Sequence, residues 1–400
     1  MDKKQNILKG DLVLWGILAL LGIFSFVPVF SSSSNLAYVV GGGTPWQYLF
    51  KHMLILILGF LFMIGVHKVP YQYFKGISIL AMPVIVLLLF YTATQGTVID
   101  GANASRWIRI PFVGLSFQTS TLAAVVLMVY VARCLDKWKE EELRFSETLL
   151  PLWVPVGLVV LLILPSNFST AFIITTMVFI LAFLGGYPIK YLLGMLGVAL
   201  VMFLLFVLTA KAFPDLLPNR VDTWVSRIER FTEGQELGQE SYQVERAKIA
   251  IASGGMAGLG IGKSVMKNFL PQSASDFIYA IIVEELGLMG GVAVILVYLI
   301  VLFRILIIAY RAKTVFGKLL VVGVGLPIII QAFLNMGVAL SVFPVTGQTL
   351  PMISSGGTAA WMTCIAFGII LSVSVDYTEP PKEEEITMSD NPLAVLSETL

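Results

Sequence analysis

The chain alternates long, continuously apolar runs with short polar breaks. Ten runs are legible, at about 12–30, 48–66, 76–95, 118–135, 150–165, 169–187, 191–210, 277–303, 319–343 and 356–375. Runs near 20 residues match the roughly 30 Å of hydrocarbon that a helix crosses at about 1.5 Å per residue. Their apolar residues are continuous rather than alternating, which excludes a membrane β-barrel. The pattern predicts an all-α, polytopic membrane protein of about ten transmembrane helices, with a large exterior loop, 211–276, between spans seven and eight. Residues 1–376 read as one transmembrane domain, and 377–400 as an acidic, disordered cytoplasmic tail. The first run follows Lys3, Lys4 and Lys9. It is long and lacks a small-x-small cleavage site, so it reads as a retained helix rather than a leader.

Composition supports this. The chain is 57% hydrophobic and 13% charged, against about 25% charged residues in soluble domains. A net charge of +1 makes no case for nucleic acid. The basic residues set an orientation. With the N-terminus cytoplasmic, the inner segments hold fifteen Lys and Arg, and the short outer loops hold only Lys51, Arg106 and Arg109. Both termini are then inside and 211–276 is outside. In that segment Val221, Trp224, Val225 and Ile228 fall at helical spacing, with Arg220, Arg227 and Arg230 elsewhere on the wheel. This fits an amphipathic helix, either in the membrane interface or packed on protein. Tyr242 to Ser253 reads as a second helix ended by Gly254-Gly255.

Candidate chemistry gathers at one border. Asp276 stands where the polar segment meets the eighth run, and Glu284 and Glu285 fall inside that run, where charge is costly. On a continuous helix Glu284 would lie roughly 12 Å deeper than Asp276, turned by roughly 80°, and Glu285 by roughly 180°. Glu284 is therefore open to two readings, lining a cavity with Asp276 or bonding between helices; Glu285 reads as structural. Asp276 is the candidate general base toward an incoming hydroxyl. Arg106, in the loop after span three with Trp107 beside it at the interface, is open to two readings, a clamp on a diphosphate or a headgroup anchor, and the first is preferred because Arg106 and Asp276 share one side of the membrane.

Gly258-Leu259-Gly260-Ile261-Gly262-Lys263-Ser264 is not a nucleotide phosphate loop, since Ala257 stands where that motif needs glycine. It reads as a flexible or closely packed connection, whose N–H groups and Lys263 can meet a lipid-linked phosphate. Two prolines and three glycines break the backbone over 344–358. Such backbone near membrane depth must be protein-buried or line a cavity; its hydroxyls either bind sugar or phosphate or only satisfy that backbone, and Ser354, Gly356 and Gly357 are the candidate substrate contacts. Cys134 and Cys364 read as core residues, and His52 and His67 as structural. No metal-ligand cluster is visible in the sequence.

Taken together these pieces resemble the SEDS family (shape, elongation, division and sporulation), of FtsW/RodA type, with the division branch the nearer. The matching residues are Ala104-Ser105-Arg106-Trp107-Ile108 with Gln118, Tyr242-Gln243-Val244 through Gly262, and Leu270-Pro271 with Asp276-Phe277-Ile278. Glu284-Glu285-Leu286-Gly287, Gln331 with Asn335, and Pro344-Val345-Thr346-Gly347 through Gly356-Gly357 complete the set. The resemblance runs from the first helix to about residue 375. It implies a peptidoglycan glycosyltransferase that polymerises lipid II at the outer face of the bacterial cytoplasmic membrane, for septal wall synthesis in cell division. It implies a class B penicillin-binding protein as transpeptidase partner, alongside other divisome membrane proteins and membrane lipids. Asp276 matches the family's essential aspartate, and Arg106 its arginine. A divalent cation, magnesium or manganese, on the lipid diphosphate is compatible, although no ligand cluster demands one.

The sequence departs from the family pattern at Gln118-Thr119-Ser120-Thr121 and Ala124, which lack the usual acid and lysine, and at Pro165-Ser166-Asn167, which lacks a further acid. These gaps place more of the chemistry on Asp276, Arg106 and Glu284. The reaction expected is an inverting, lipid-linked glycosyl transfer. A lipid II flippase or transporter, and a noncatalytic division scaffold, are the rival readings.

Overall fold

The computed structural model describes residues 8–39, 44–95, 98–99, 102–103, 107–109, 116–138, 144–212 and 239–378. The helices are α1 (Leu12–Val39), α2 (Pro45–His67), α3 (Tyr73–Gln95), α4 (Thr119–Lys137), α5 (Phe145–Ile163), α6 (Phe168–Leu184), α7 (Ile189–Ala212), α8 (Gln239–Gly254), α9 (Ile278–Arg311), α10 (Val315–Ala339) and α11 (Thr358–Thr378). Among the described residues, eight helices are long and apolar enough to cross a membrane, and α6 and the first part of α7, Ile189–Met202, are shorter apolar helices. The ten apolar runs thus become helices, with α8 as an additional polar one. This is an integral membrane protein. The amphipathic segment around 221–228 and the tail beyond 378 lie outside the described residues.

Local signals explain several boundaries. Asn167 caps α6, its side-chain oxygen accepting the N–H of Thr170 at 3.1 Å. Pro151 lies in a π-helical turn, Leu149–Trp153, within α5. Pro155, four residues on, has no N–H to give to Pro151 O, which instead accepts the Tyr130 hydroxyl at 2.7 Å.

The last helix, α11, is the most enclosed and packs chiefly on α2. Small residues allow the approach: a Cβ on Gly59 would come within 2.9 Å of Cys364 Sγ, and one on Gly368 within 2.8 Å of Met63 O. Close backbone contact of this kind drives helix association where lipid competes for apolar surface.

Chain alternation gives the bundle two ends. At one, Lys75 pairs with Asp136 at 2.6 Å, Arg304 pairs with buried Asp11, and Tyr71 bonds Thr314 at 3.0 Å. The other, here termed the site end, carries Asp276, the 340–357 segment and two small hairpins. Val98–Ile99 (β1) pairs with Ala102–Asn103 (β2), and Trp107–Arg109 (β3) with Ser116–Gln118 (β4), both antiparallel.

One expectation is corrected. The eighth run is not one uninterrupted helix. Gly287, at φ 70° and ψ −174°, breaks α9 nine residues in. Asp276 precedes the helix, whose N-cap is Phe277. The inferred depth and rotation of Glu284 relative to Asp276 therefore do not apply. The part after the break is apolar and long enough to cross a membrane, whereas Ile278 to Glu285 are all buried in protein.

Candidate functional site

Asp276 sits half-buried near the end of a run of turns, 271–277, immediately before α9. The segment is held at three successive carbonyls. Ala274 O accepts the N–H of Ser355 at 2.9 Å, Ser275 O accepts the Ser354 hydroxyl at 2.6 Å, and Asp276 O accepts Asn335 Nδ2 at 2.7 Å. The carboxylate lies against the 344–357 segment, because a Cβ on Gly347 would stand 3.7 Å from Asp276 Oδ2. Glycine at 347 leaves that space open, and its φ of +65° is one that other residues adopt only with strain. Gln272 and Met352 also have positive φ, at 61° and 64°. Non-glycine residues seldom do so, and here one lies in each of the two segments that meet at Asp276.

The 344–357 segment is fastened from several sides. Asn335 Nδ2 also donates to Gln348 O at 2.7 Å, and Gln331 Nε2 to Thr349 O at 2.9 Å. These two amides, one turn apart on α10, form a polar stripe in an apolar helix. Gln348 Nε2 reaches Thr170 Oγ1 on α6 at 3.1 Å. Thr358 Oγ1 accepts the N–H of Gln118 at 3.3 Å, and Gln118 stands opposite Trp107 in the β3–β4 ladder. The loop after span three thus ends beside the start of α11, 240 residues away in sequence.

Each candidate residue now has a place. Ser354 is buried, and its hydroxyl is committed to Ser275 O while accepting the N–H of Leu350 at 2.7 Å. Gly356 and Gly357 are half-buried in the turn before α11, and Trp107 is half-buried in its hairpin. Lys263 is exposed on its own loop. Arg106 lies outside the described residues.

Glu284 and Glu285 do not open toward Asp276. Both are buried and hold the 259–267 loop. Glu284 Oε1 accepts the N–H groups of Val265 and Met266 at 2.9 and 3.1 Å, and Oε2 accepts the Ser264 hydroxyl. Glu285 Oε1 accepts the Ser31 hydroxyl from α1 and the N–H of Ser264 at 3.3 Å. The break at Gly287 frees carbonyls that the same loop takes up, Glu284 O from Leu259 N at 2.9 Å and Glu285 O from Gly260 N at 3.0 Å. The glycine-rich stretch is therefore closely packed: a Cβ on Gly258 would fall 2.2 Å from Glu285 O.

Sequence reasoning assigned no role to Asn335, Gln331, Gln348 or Gly347. The available signal was the pair of amides at i and i+4 on one face of an apolar run, where a buried polar group needs a partner.

Fold and site together define a polytopic helical membrane protein with a carboxylate set in a braced cluster of loops at one end of the bundle. The chain belongs to the FtsW/RodA/SpoVE family, described as "Cell cycle protein", whose profile matches residues 11–379. A protein of Nitrosococcus halophilus named "Probable peptidoglycan glycosyltransferase FtsW" is 32% identical over 377 residues, covering 92% of this chain and 93% of that one. The protein of the same name in Geobacter metallireducens is 30% identical, covering 92% and 96%. Among solved structures, a chain from "Structural coordination of polymerization and crosslinking by a peptidoglycan synthase complex" superposes with a TM-score of 0.70 at 24% identity, covering 93% of this chain and 99% of that one. The rod shape determining protein RodA of Thermus thermophilus gives a TM-score of 0.64 at 22% identity, covering 93% and 98%. These two likenesses are of fold.

Proposed function

We propose that this protein is a peptidoglycan glycosyltransferase that polymerises lipid II, with Asp276 as general base. The reading is supported by family membership, by curated relatives named for that activity over nearly their full length, and above all by the placement of Asp276. The residue is half-buried, its carboxylate borders the space at Gly347, and it belongs to a segment held at three consecutive carbonyls. In the proposed step Asp276 takes the proton from the acceptor sugar hydroxyl as that oxygen attacks the anomeric carbon of the donor. The anomeric centre inverts and a lipid diphosphate leaves. Arg106 and Lys263 supply positive charge toward the departing diphosphate, a term worth several kcal/mol in preorganised sites. Among the described residues no group of three or more His, Cys, Asp or Glu comes together to hold a metal.

The proposed setting is the bacterial cytoplasmic membrane at the division septum, with both termini cytoplasmic and the site end outside, as the charge asymmetry supports. A class B penicillin-binding protein is the proposed partner, alongside other divisome membrane proteins. The rival flippase reading draws on the broken helix α9, since transporters bind cargo at such breaks. Here the carbonyls freed at the break are taken by Leu259 and Gly260, which favours the enzyme.

The test is glycan-strand formation from purified lipid II, with the cognate transpeptidase present, comparing wild type and Asp276→Asn. Polymer from wild type and none from the folded variant is the expected result. Equal polymer from both would remove Asp276 as the base. Lipid translocation in vesicles without polymer would favour the flippase.

A further inference from the structure

The loop between Gly255 and Leu270 has an unusual division of labour. Its inward side is polar and fully engaged, through Glu284, Glu285, Ser264 and Ser31. Its outward side is apolar: Met256 is 67% exposed, Ile261 64%, and Leu259, Val265 and Phe269 are exposed as well. A run of exposed apolar side chains on a soluble surface normally marks something that covers them. We infer that this loop is a bilayer-docking element, inserted at the headgroup–acyl boundary of the leaflet at the site end, with Glu284 and Glu285 as its internal anchors.

Lipid is the indicated occupant on three counts. The first is continuity. Leu288 N donates to Gly255 O at 2.9 Å and Met289 N to Met256 O at 3.5 Å. Met256 is thereby set beside Met289, which is 65% exposed and belongs to the apolar, outward row of Leu288, Met289, Val292 and Leu296 on α9. The second is depth. Arg304, paired with buried Asp11, marks the polar level of the opposite end of the bundle, seven residues before α9 closes at Arg311. From there to the break at Gly287 is about 17 residues, or roughly 25 Å, close to the hydrocarbon thickness. The loop bonded to the break therefore sits at the membrane boundary. The third is charge. Lys263 is exposed among these apolar residues, whereas Lys267 Nζ turns inward, donating to Gly262 O at 2.8 Å and to the Ser31 hydroxyl at 3.2 Å. A basic group beside inserted apolar ones suits a surface of anionic lipid.

The experiment uses the full chain in nanodiscs of phosphatidylethanolamine and phosphatidylglycerol. Single cysteines are introduced as Ile261→Cys and, as a water-facing control, Glu245→Cys on α8. Each is labelled with an environment-sensitive fluorophore. The native Cys134 and Cys364 are buried, and labelling of the wild type measures their background. The expected result is blue-shifted emission from position 261, lost when lipids carry a nitroxide near the headgroup and insensitive to aqueous iodide. Position 245 should show the reverse. Quenching of 261 by iodide would place the loop in water and overturn the inference. Quenching by neither agent would mean that protein covers the loop, from this chain or a partner, and would overturn it equally. The readout is independent of polymerase activity.

Discussion

One nitrogen of Asn335 donates to two carbonyl oxygens, those of Asp276 and Gln348, at 2.7 Å each. The residue is 1% exposed, and its own Oδ1 has no hydrogen-bond partner among the described residues. A buried amide with one end doubly used and the other unused is costly, which points to a positioning task. Asn335 joins the backbone that carries the carboxylate to the loop that faces it.

Replacing that nitrogen should therefore damage turnover more than binding. Asn335→Leu leaves two buried carbonyls without their donor. Asn335→Asp keeps the shape and puts an acceptor where the donor was. Each lost buried bond should cost about 1–3 kcal/mol of stability. In lipid II polymerisation kinetics, kcat should fall for both while KM changes little. A rise in KM at unchanged kcat would count against the positioning role.

Gly347→Ala should act on the same space from the other side. A residue with a Cβ pays about 1–2 kcal/mol at φ +65°, and its methyl would stand 3.7 Å from Asp276 Oδ2. Polymerisation should drop by about tenfold, equivalent to roughly 1.4 kcal/mol. Thermal unfolding in detergent should show only a small loss of stability.

Glu284→Ala should behave as a structural lesion. It strands the Ser264 hydroxyl and the N–H groups of Val265 and Met266. Destabilisation of about 1–3 kcal/mol is expected for each unsatisfied buried group that water cannot reach. Hydrogen exchange should rise specifically over 259–267. Unchanged exchange there, with activity abolished, would instead assign Glu284 to the chemistry.

Gly287→Ala should be among the most damaging single changes. Its Cβ would lie 2.3 Å from Met256 O and 2.5 Å from Gly258 N, at a φ of +70°. Backbone lies on both sides, so neither neighbour can rotate away. Loss of folded protein in size-exclusion profiles is expected. Gly255→Ala, at an exposed position with nothing within 4 Å of a Cβ, serves as the milder comparison and should retain a folded peak.

At the opposite end, Arg304→Gln leaves Asp11 buried without its counter-charge. Asp11 has no exposed side-chain surface. Removing one member of such a pair typically costs about 3 kcal/mol or more. The double variant Asp11→Asn/Arg304→Gln should recover part of that loss in thermal unfolding, because no charge remains stranded.

Hydrophobic patterning alone was enough to establish the class and layout of this protein. Ten apolar runs, a polar insertion after the seventh and an acid at its far border all follow from it. That pattern is a local property, because each membrane helix satisfies its own backbone bonds. Cys134 and Cys364 were legible as core residues, and His52 and His67 as structural ones, and all four are buried. What the polar residues do depended on the folded chain. Patterning shows that Glu284, Glu285, Asn335 and Ser354 need partners, but not which partners they find. Those prove to be Val265 and Met266, Ser31, Asp276 and Gln348, and Ser275, reached across separations of up to 254 residues. The break at Gly287 was hidden likewise, since glycine in an apolar run reads equally as a packing contact. It becomes a break only because Met256 and Gly258 lie against it and the N–H groups of the loop take up the carbonyls it releases.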